Sequence, residues 1–388
     1  MPDLIAIAER LAERPPVAAL DGGRCLRVRD RESSCAACAD ACPVGAVAMR
    51  AAAVEEEAPY GSVDAVKDAG PRIDDEACVR CGACMAACPT NALLALPPLD
   101  DEELLARVAA AGATARAQAA AEASEEEPRE PEPATAGFAC ERAAAGLRLE
   151  RERVVVLPCL AWVDAALLVH LACAGAERVE ALLGACASCE LAAVEARVRA
   201  ALDEARRVCD AWGLPVAFNA DGEGLLAPPD ADAAGDPSRR ALLSQVGASL
   251  IDTAKAKASH ARPEPDVRRW RLLDDLHAAG LPDDGAIVPR ALAPRVAIDV
   301  DRCSGCAQCA LFCPAGALRK IGRAAGGGTL LEFDPARCRD CGVCEGTCRY
   351  GALTCEETLT AGELFAFDPL EIVIPKRRVL PERCLRSG

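Results

Sequence analysis

Aromatic residues are scarce in this chain: Phe, Trp and Tyr make up 3% of its 388 residues. We therefore expect several small cores rather than one large core built on aromatic side chains. No run approaches the roughly 18 consecutive apolar positions that a membrane-spanning helix needs, so we expect no membrane span. The first 20 positions contain charged residues such as Asp3, Glu9 and Arg14 and no apolar core of a secretory signal. These absences predict a cytoplasmic protein.

Histidine and net positive charge are also lacking. The three histidines, His170, His260 and His277, lie in predicted helices, which favours a structural role over metal ligation. The formal net charge is −16 and the isoelectric point is about 4.8. This balance argues against a nucleic-acid partner, because nucleic-acid binders present basic surfaces. The acidity suits either docking on a basic face of a protein partner or plain solubility.

Cysteine, in contrast, is abundant, with 24 residues. In a chain without a secretory signal this abundance predicts metal binding rather than disulfides. Three runs have the spacing C-x2-C-x2-C-x3-C, in which three thiolates wrap one cubic [4Fe–4S] cluster and the fourth reaches a neighbouring cube. Zinc sites use two CxxC knuckles, which do not explain this spacing. The complete runs are Cys78, Cys81, Cys84 and Cys88; Cys303, Cys306, Cys309 and Cys313; and Cys338, Cys341, Cys344 and Cys348.

A fourth run, near the N-terminus, is imperfect. Cys35, Cys38 and Cys42 fit the last three positions, but Glu32 stands where the first cysteine belongs. Cys25 is the expected substitute if residues 26–34 loop out. A carboxylate ligand from Glu32 is the weaker alternative, because iron in such clusters prefers thiolate.

The four runs form an internal repeat. After each last cysteine come Gly or Asn at a position suited to positive φ, then Ala, then an apolar residue. Ile73, Ile298 and Phe333 each end a predicted short strand that leads into a cysteine loop. These features resemble the bacterial two-cluster ferredoxin family over residues 20–97 and 294–356. The family has a pseudo-twofold fold of short hairpins and helices.

The ferredoxin resemblance implies crossed ligation, which the loop geometry also favours: each half-motif gives three ligands to its own cluster and one to its neighbour's. The implied sets, first to fourth, are Cys25, Cys35, Cys38 and Cys88; Cys78, Cys81, Cys84 and Cys42; Cys303, Cys306, Cys309 and Cys348; and Cys338, Cys341, Cys344 and Cys313. The sequence departs from the family at Arg349, which stands where Pro follows the other last cysteines. A cation there favours the reduced, more negative state, so we expect a raised potential for the third cluster.

Between the two ferredoxin-like segments the pattern changes to alternating strands and helices. Strands are predicted at 153–157, 179–183 and 215–218, with helices at 164–174 and from Cys189 to about Trp212. This order predicts a small parallel sheet, whose sites gather at the carboxyl ends of the strands. A further Ala-rich helix is predicted at 99–121.

Four cysteines are candidate ligands in this middle segment. Cys159 and Cys186 end predicted strands, and Cys189 is predicted to open the long helix, whose N-terminus stabilises thiolate. Cys140 completes the set if its segment returns to the same edge. Such a site suits a [2Fe–2S] cluster or zinc.

A second resemblance applies to the middle segment. Pro158-Cys159-Leu-Ala-Trp-Val-Asp164 and Gly184-Ala-Cys186-Ala-Ser-Cys189 look like the small iron–sulfur (delta) subunit of methanogen hydrogenase–heterodisulfide reductase complexes. That family carries a [2Fe–2S] cluster and links a hydrogenase or formate dehydrogenase to a flavin-containing reductase. The sequence departs from it at Ala143, where the family has a second early cysteine, and in the closer spacing of the last pair. An iron–sulfur cluster, zinc and unligated thiols therefore all stay open.

The predicted fold is α+β and multidomain, with two dicluster ferredoxin-like modules around a small α/β parallel-sheet domain. The expected segments are 1–97, the N-terminal dicluster module; 98–136, an Ala-rich helix and acidic Pro-rich linker; 137–235, the α/β domain with its cysteine cluster; 236–293, a helical bridge; and 294–388, the C-terminal dicluster module and tail. No G-x-G-x-x-G fingerprint follows a strand, and no nucleophile–base constellation appears, so no nicotinamide, flavin or catalytic site is predicted. Four further cysteines receive no assigned role: Cys173, Cys209, Cys355 and Cys384.

The function that these features favour is electron transfer. We expect a multi-cluster subunit of an oxidoreductase complex of hydrogenase, formate dehydrogenase or heterodisulfide reductase type, whose partners carry flavin or metal. A redox-sensing or assembly protein that uses Cys186 and Cys189 as a switch is an alternative. A free polyferredoxin is another.

Overall fold

The computed structural model describes residues 16–30, 33–50, 70–96, 99–123, 132–184, 186–227 and 266–376. Several expectations lie outside these residues, namely those on Glu32, His260, Cys384 and most of the acidic linker. Within the described part, no helix combines the length and the apolar character that crossing a membrane requires.

The N-terminal segment consists of two antiparallel strand pairs and one-turn helices. β1 pairs with β4 and β2 pairs with β3, and β3 confirms the strand expected before Cys78. The helices carry cysteines or follow them directly, so the loops that hold the cysteines are short and tightly anchored. The elements in chain order are β1 (Ala18–Leu20), α1 (Leu26–Arg29), α2 (Ala37–Asp40), β2 (Val47–Arg50), β3 (Gly70–Ile73), α3 (Ala83–Ala86) and β4 (Leu93–Ala95).

The middle segment is a four-stranded parallel sheet with the order β6-β5-β7-β8, as the sequence predicted in outline. The structure adds β5, a central strand that the sequence did not predict and that Cys140 ends. All six residues of β5 are buried. Its elements are β5 (Thr135–Cys140), α5 (Glu141–Gly146), β6 (Val154–Leu157), α6 (Ala165–Cys173), β7 (Arg178–Ala181), α7 (Val194–Ala211) and β8 (Ala217–Asn219). Short 3-10 turns lie at Leu160–Trp162, Cys186–Ser188 and Glu223–Leu225.

Two helices from outside the sheet pack against α6: α4 (Asp101–Glu122) and α8 (Val267–Ala278). His170 of α6 lies at their junction and is 6% exposed. Its Nδ1 is 2.6 Å from Asp275 Oδ2, and its Nε2 is 3.2 Å from the carbonyl oxygen of Leu105. The structure therefore gives this histidine a structural role, as the sequence predicted.

The C-terminal segment repeats the hairpin plan of the first. β9 pairs with β12, while β10, β11 and β13 form a three-stranded antiparallel sheet. Its elements are β9 (Arg295–Ile298), α9 (Gln308–Phe312), β10 (Leu318–Arg323), β11 (Thr329–Phe333), α10 (Val343–Thr347), β12 (Leu353–Glu356), α11 (Ala361–Phe365) and β13 (Leu370–Ile374).

The largest core is shared between segments. It contains the middle sheet and its helices, but also Cys81 and Ala83 of the N-terminal segment and Ala336 and Phe365 of the C-terminal segment. Two small cores lie within the ferredoxin-like segments, and both include cysteines. The expected small cores are therefore present, but the middle domain's core reaches into both neighbours.

Candidate iron–sulfur centres

A recurring turn after each last cysteine directs a backbone N–H at sulfur. The residue three positions after that cysteine has positive φ in all four half-motifs, as the sequence predicted: Gly45, Asn91, Gly316 and Gly351. The turn orients the next amides toward the sulfur, at donor–sulfur distances of 3.2 to 3.4 Å in all four half-motifs. Hydrogen bonds of this kind stabilise a thiolate and tune the potential of a cluster that it holds.

The first predicted set of cysteines surrounds one cavity. Cys25, Cys35, Cys38 and Cys88 all line one small cavity, together with apolar side chains. Burial, followed by the charges of Cys88 and Cys25, raises the pKa of the Cys38 thiol to about 11. Cys25 therefore lies beside the other three, at the place that an unbroken motif gives to its first cysteine.

The second predicted set surrounds a similar small cavity, which Cys42, Cys78, Cys81 and Cys84 line. Burial is the main cause that raises the pKa of the Cys84 thiol to about 12, and Cys81 and Cys78 add to it. Four thiols around one cavity are a donor set that iron favours.

The third predicted set lies at a more exposed position. Burial raises the pKa of the Cys309 thiol to about 12, with contributions from the sulfurs of Cys303, Cys306 and Cys348. The four sulfurs are thus neighbours, but Cys306 is exposed. Arg349, expected to raise the potential here, is exposed as well, so water screens its charge.

The fourth predicted set surrounds a small cavity and is joined there by a fifth cysteine. Cys313, Cys338, Cys341 and Cys344 line this cavity together with Cys355. The sequence analysis assigned no role to Cys355, and the structure places it in strand β12.

The middle set also comes together, although by a different route from the one predicted. Cys140 ends β5 and Cys159 follows β6, so both lie at the carboxyl edge of the parallel sheet. Burial, then the charges of Cys140, Cys159 and Cys189, raises the pKa of the Cys186 thiol to about 11.

The expectation that Cys189 opens the long helix is wrong. Helix α7 begins at Val194, and Cys189 lies in the turn that follows Cys186–Ser188. Other groups contact the sulfur where a helix N-terminus was expected. The N–H of Leu191 is 3.4 Å from Cys189 Sγ, and the Arg142 guanidinium is 3.7 Å from the same sulfur. A cation and an amide, rather than a helix N-terminus, stabilise negative charge here.

The middle set and the second set are close neighbours. The charge of Cys81 contributes to the raised pKa of Cys159, after burial, which is the main cause. Between them lies Trp162, whose indole Nε1–H donates to the Arg80 carbonyl oxygen at 2.9 Å. A Cβ on Gly82 would lie 2.8 Å from the Trp162 ring, so only glycine permits this approach.

The first set and the fourth set face a common space between the segments. Cys88 and Cys338 both line a cavity of about 460 Å³, whose walls also carry Arg268, Arg269 and Arg290. Arg269 is 6% exposed and donates to the carbonyl oxygens of Ala336, Leu292 and Pro335, just before Cys338.

Asp266 joins the two ferredoxin-like segments beside this cavity. It forms ion pairs with Arg24, which precedes Cys25, and with Arg339, which follows Cys338, the latter at 3.6 Å. Asn91 Nδ2 is 3.5 Å from Asp266 Oδ1. No sequence signal pointed to Asp266, because its partners are distant along the chain: Arg24 and Asn91 lie in the N-terminal segment and Arg339 in the C-terminal segment.

In the described part of the chain, no three His, Cys, Asp or Glu side chains converge closely enough to hold one metal ion. The first, second and fourth sets instead surround cavities, as ligands to the separate irons of one cluster do. Their donors are four thiols each, and backbone amides point at several of the sulfurs. These residues fit [4Fe–4S] clusters, which would supply one-electron redox chemistry when bound.

Comparison with known proteins supports this chemistry. Two family models, both described as 4Fe–4S dicluster domain, match the chain, one over residues 33–92 and 293–352 and the other over 70–143. The chain is also 29% identical over 85 residues to the delta subunit of the NADH-dependent phenylglyoxylate dehydrogenase of Aromatoleum evansii. That match covers 20% of this chain and 85% of the subunit. The chain therefore carries 4Fe–4S dicluster domains, and its function is iron–sulfur electron transfer.

Proposed function

We propose that the chain is a conduit of four [4Fe–4S] clusters and one [2Fe–2S] cluster in an oxidoreductase complex. The main observation that supports this proposal is that three of the four predicted ligand sets each line one cavity. Each of these sets contains cysteines from both half-motifs of a module. The proposed cubane ligands are Cys25, Cys35, Cys38 and Cys88; Cys42, Cys78, Cys81 and Cys84; Cys303, Cys306, Cys309 and Cys348; and Cys313, Cys338, Cys341 and Cys344.

The middle set, Cys140, Cys159, Cys186 and Cys189, holds the fifth cluster in this proposal. Its support is the convergence of four thiols at one edge of the sheet, with a cation beside Cys189. The middle set lies next to the second set, so a cluster held there would exchange electrons directly with the second cluster. This proximity favours a redox role over a purely structural zinc site.

The contacts support one order for the five sites. The middle site adjoins the second through Cys159 and Cys81. The second adjoins the first, since the charge of Cys38 contributes to the raised pKa of Cys84.

The path then crosses between modules. The first and fourth sites share the cavity lined by Cys88 and Cys338. The fourth and third sites share one small core and exchange ligands between their half-motifs. The proposed order is thus middle, second, first, fourth, third, with the middle and third sites at the ends.

The partners in this proposal are oxidoreductase subunits that carry flavin or metal, of hydrogenase, formate dehydrogenase or heterodisulfide reductase type. The relative from a dehydrogenase complex supports the oxidoreductase part of this assignment. The exposure of Cys306 supports a third site that is accessible to a partner's cofactor. The net charge of −16 suits docking on a basic face.

The test is the metal content of the chain purified without oxygen. Four cubes and one two-iron cluster predict about 18 iron and about 18 sulfide per chain. Electron paramagnetic resonance (EPR) of the reduced protein then separates the two cluster types. A chain loaded with zinc, or one with about 8 iron or fewer, contradicts the proposal.

A further inference from the structure

The fourth site holds one sulfur more than a cube needs. Cys355 lies in β12, is 7% exposed, and lines the same cavity as Cys313, Cys338, Cys341 and Cys344. A [4Fe–4S] cluster takes four thiolates, one for each iron. The four ligands that the repeat predicts are therefore sufficient for the cluster, and Cys355 is an additional thiol at the site.

Cys355 lies close to one of the four ligands. Its sulfur belongs to the small core against which Cys344 packs, and both thiols line the same cavity. Two further contacts hold it there. The Cys355 backbone N–H donates to Glu345 Oε1 at 2.9 Å, and β12 places Cys355 opposite Val296, which also lines the cavity. The thiol is thus held beside Cys344 by both its strand and helix α10, which carries Cys344 and Glu345.

The internal repeat places the position of Cys355 against a cluster cavity in two half-motifs. Cys355 is seven residues after the last cysteine of its half-motif, and Met49 is seven residues after Cys42. Met49 lines the first cavity, with its Sδ 3.9 Å from Sγ of Cys38. Cys38 and Cys344 are both third cysteines of their runs. The same backbone position therefore places a sulfur beside the third ligand twice, and in Cys355 that sulfur is a thiol.

The other two half-motifs carry no sulfur at this position. The equivalent residues are Ala95, which is buried, and Lys320, which is exposed. A thioether at Met49 cannot lose a proton to become a strong iron ligand, whereas a thiol can. The fourth site is therefore the one site of the described repeat with a spare thiolate donor at this position.

We propose that Cys355 is an exchangeable ligand of the fourth cluster and takes the place of Cys344. This inference rests on the proposed function, since it needs a cluster in the fourth cavity. The exchange is a ligand substitution without redox change. The sulfur of Cys355 binds the iron that Cys344 leaves, and the proton that the Cys355 thiol loses is taken up by the released Cys344 thiolate. The charge of the site is unchanged.

The test compares third-cysteine variants at two sites of the full chain, purified without oxygen. Cys344→Ala should keep the iron content of the parent and show a changed EPR signal, because Cys355 now ligates. The matched control is Cys309→Ala, in the same position of the third site, where Lys320 replaces the spare thiol; it should lose about four iron per chain. Cys344→Ala combined with Cys355→Ala should lose about the same amount. Cys355→Ala alone should lose none.

Loss of about four iron from Cys344→Ala, equal to the loss from Cys309→Ala, overturns the proposal. Cys344→Ser gives a second measurement if the alanine variant does not accumulate. Its cluster should have the same EPR signal as an all-thiolate cube, and Cys355→Ala in that background should abolish or change this signal. An identical signal with and without Cys355 also overturns the proposal. Failure of the proposed function is separate, because it shows as low iron in the parent.

Discussion

Glu180 is a buried carboxyl in the middle sheet, 2% exposed. Burial raises its pKa, and Asp221 adds to the shift. The opposing influences are smaller in sum: the N–H of Gly224, 3.0 Å from Glu180 Oε2, and the cation of Arg178 both lower the pKa. The folded protein therefore holds the proton of Glu180 more tightly than the unfolded chain does.

A raised carboxyl pKa makes stability fall as pH rises. Below the unfolded pKa of about 4.3 the group is protonated in both states and contributes no difference. Above it the unfolded chain ionises first, so stability is lost until pH passes the folded pKa. We expect Glu180→Gln, which keeps an oxygen for the N–H of Gly224, to raise the thermal midpoint at pH 7 and to match the parent near pH 4. The check is a series of melting curves across this range; a variant that is less stable than the parent at pH 7 contradicts the argument.

Single cysteines differ in how far the sequence could place them. The motif cysteines were predictable as groups because C-x2-C-x2-C spacing is local, and the chain has little freedom between its sulfurs. Cys25 was expected as the substitute for the missing first cysteine, with Glu32 as the alternative, and the structure places it beside Cys35, Cys38 and Cys88. The position of Cys355 was not predictable, because its proximity to Cys344 depends on the pairing of β12 with β9.

At the scale of elements, strand β5 is the strand of the middle sheet that the sequence did not predict. Its residues, Thr-Ala-Gly-Phe-Ala-Cys, carry little of the β-branched and aromatic signal that identifies a strand. They are small because the strand is central and tightly packed: a Cβ on Gly137 would lie 2.1 Å from the carbonyl oxygen of Glu180. The sequence therefore left Cys140 on a segment of unknown path, whereas tertiary packing makes it the end of the central strand.

Helix α8 is tied to the rest of the molecule by Arg268. Its guanidinium forms ion pairs with Asp101 of α4 at 2.7 Å and with Asp164 before α6 at 2.8 Å. It also donates to the carbonyl oxygen of Trp162, the residue that packs on the second site's loop. The side chain of Arg268 is 16% exposed, so solvent replaces these bonds poorly.

We expect Arg268→Ala to destabilise the junction of these helices by about 2–3 kcal/mol, because two carboxylates lose a shared, largely buried cation. Hydrogen exchange of the amides of α4, α6 and α8 in the native protein measures this local free energy. The matched control is Arg199→Ala in α7, whose ion pair with Glu195 is exposed and should contribute less than about 0.5 kcal/mol. Equal effects of the two variants would show that Arg268 is not a structural tie.

At the scale of the whole molecule, the order of sites differs from the order along the chain. The middle segment lies between the two ferredoxin-like modules in sequence. In the structure its cysteines adjoin the second set, while the first and fourth sets meet across another cavity. Sequence cannot show this arrangement, because it depends on contacts such as Arg24 with Asp266, which are 242 residues apart.

Asp266 allows the crossing between modules to be tested with one substitution. Its carboxylate pairs with Arg24 beside Cys25 and with Arg339 beside Cys338, so its charge acts on both the first and the fourth site. Asp266→Asn removes this charge but keeps the side-chain shape, and Asn tolerates the positive φ of 67°. Losing a negative charge favours the reduced state of a nearby cluster. The reduction potentials of the first and fourth clusters should therefore both rise, by an amount on the order of tens of millivolts. EPR-monitored redox titration measures the shift, with exposed Asp283→Asn as the control. A shift at one site alone would place the crossing elsewhere.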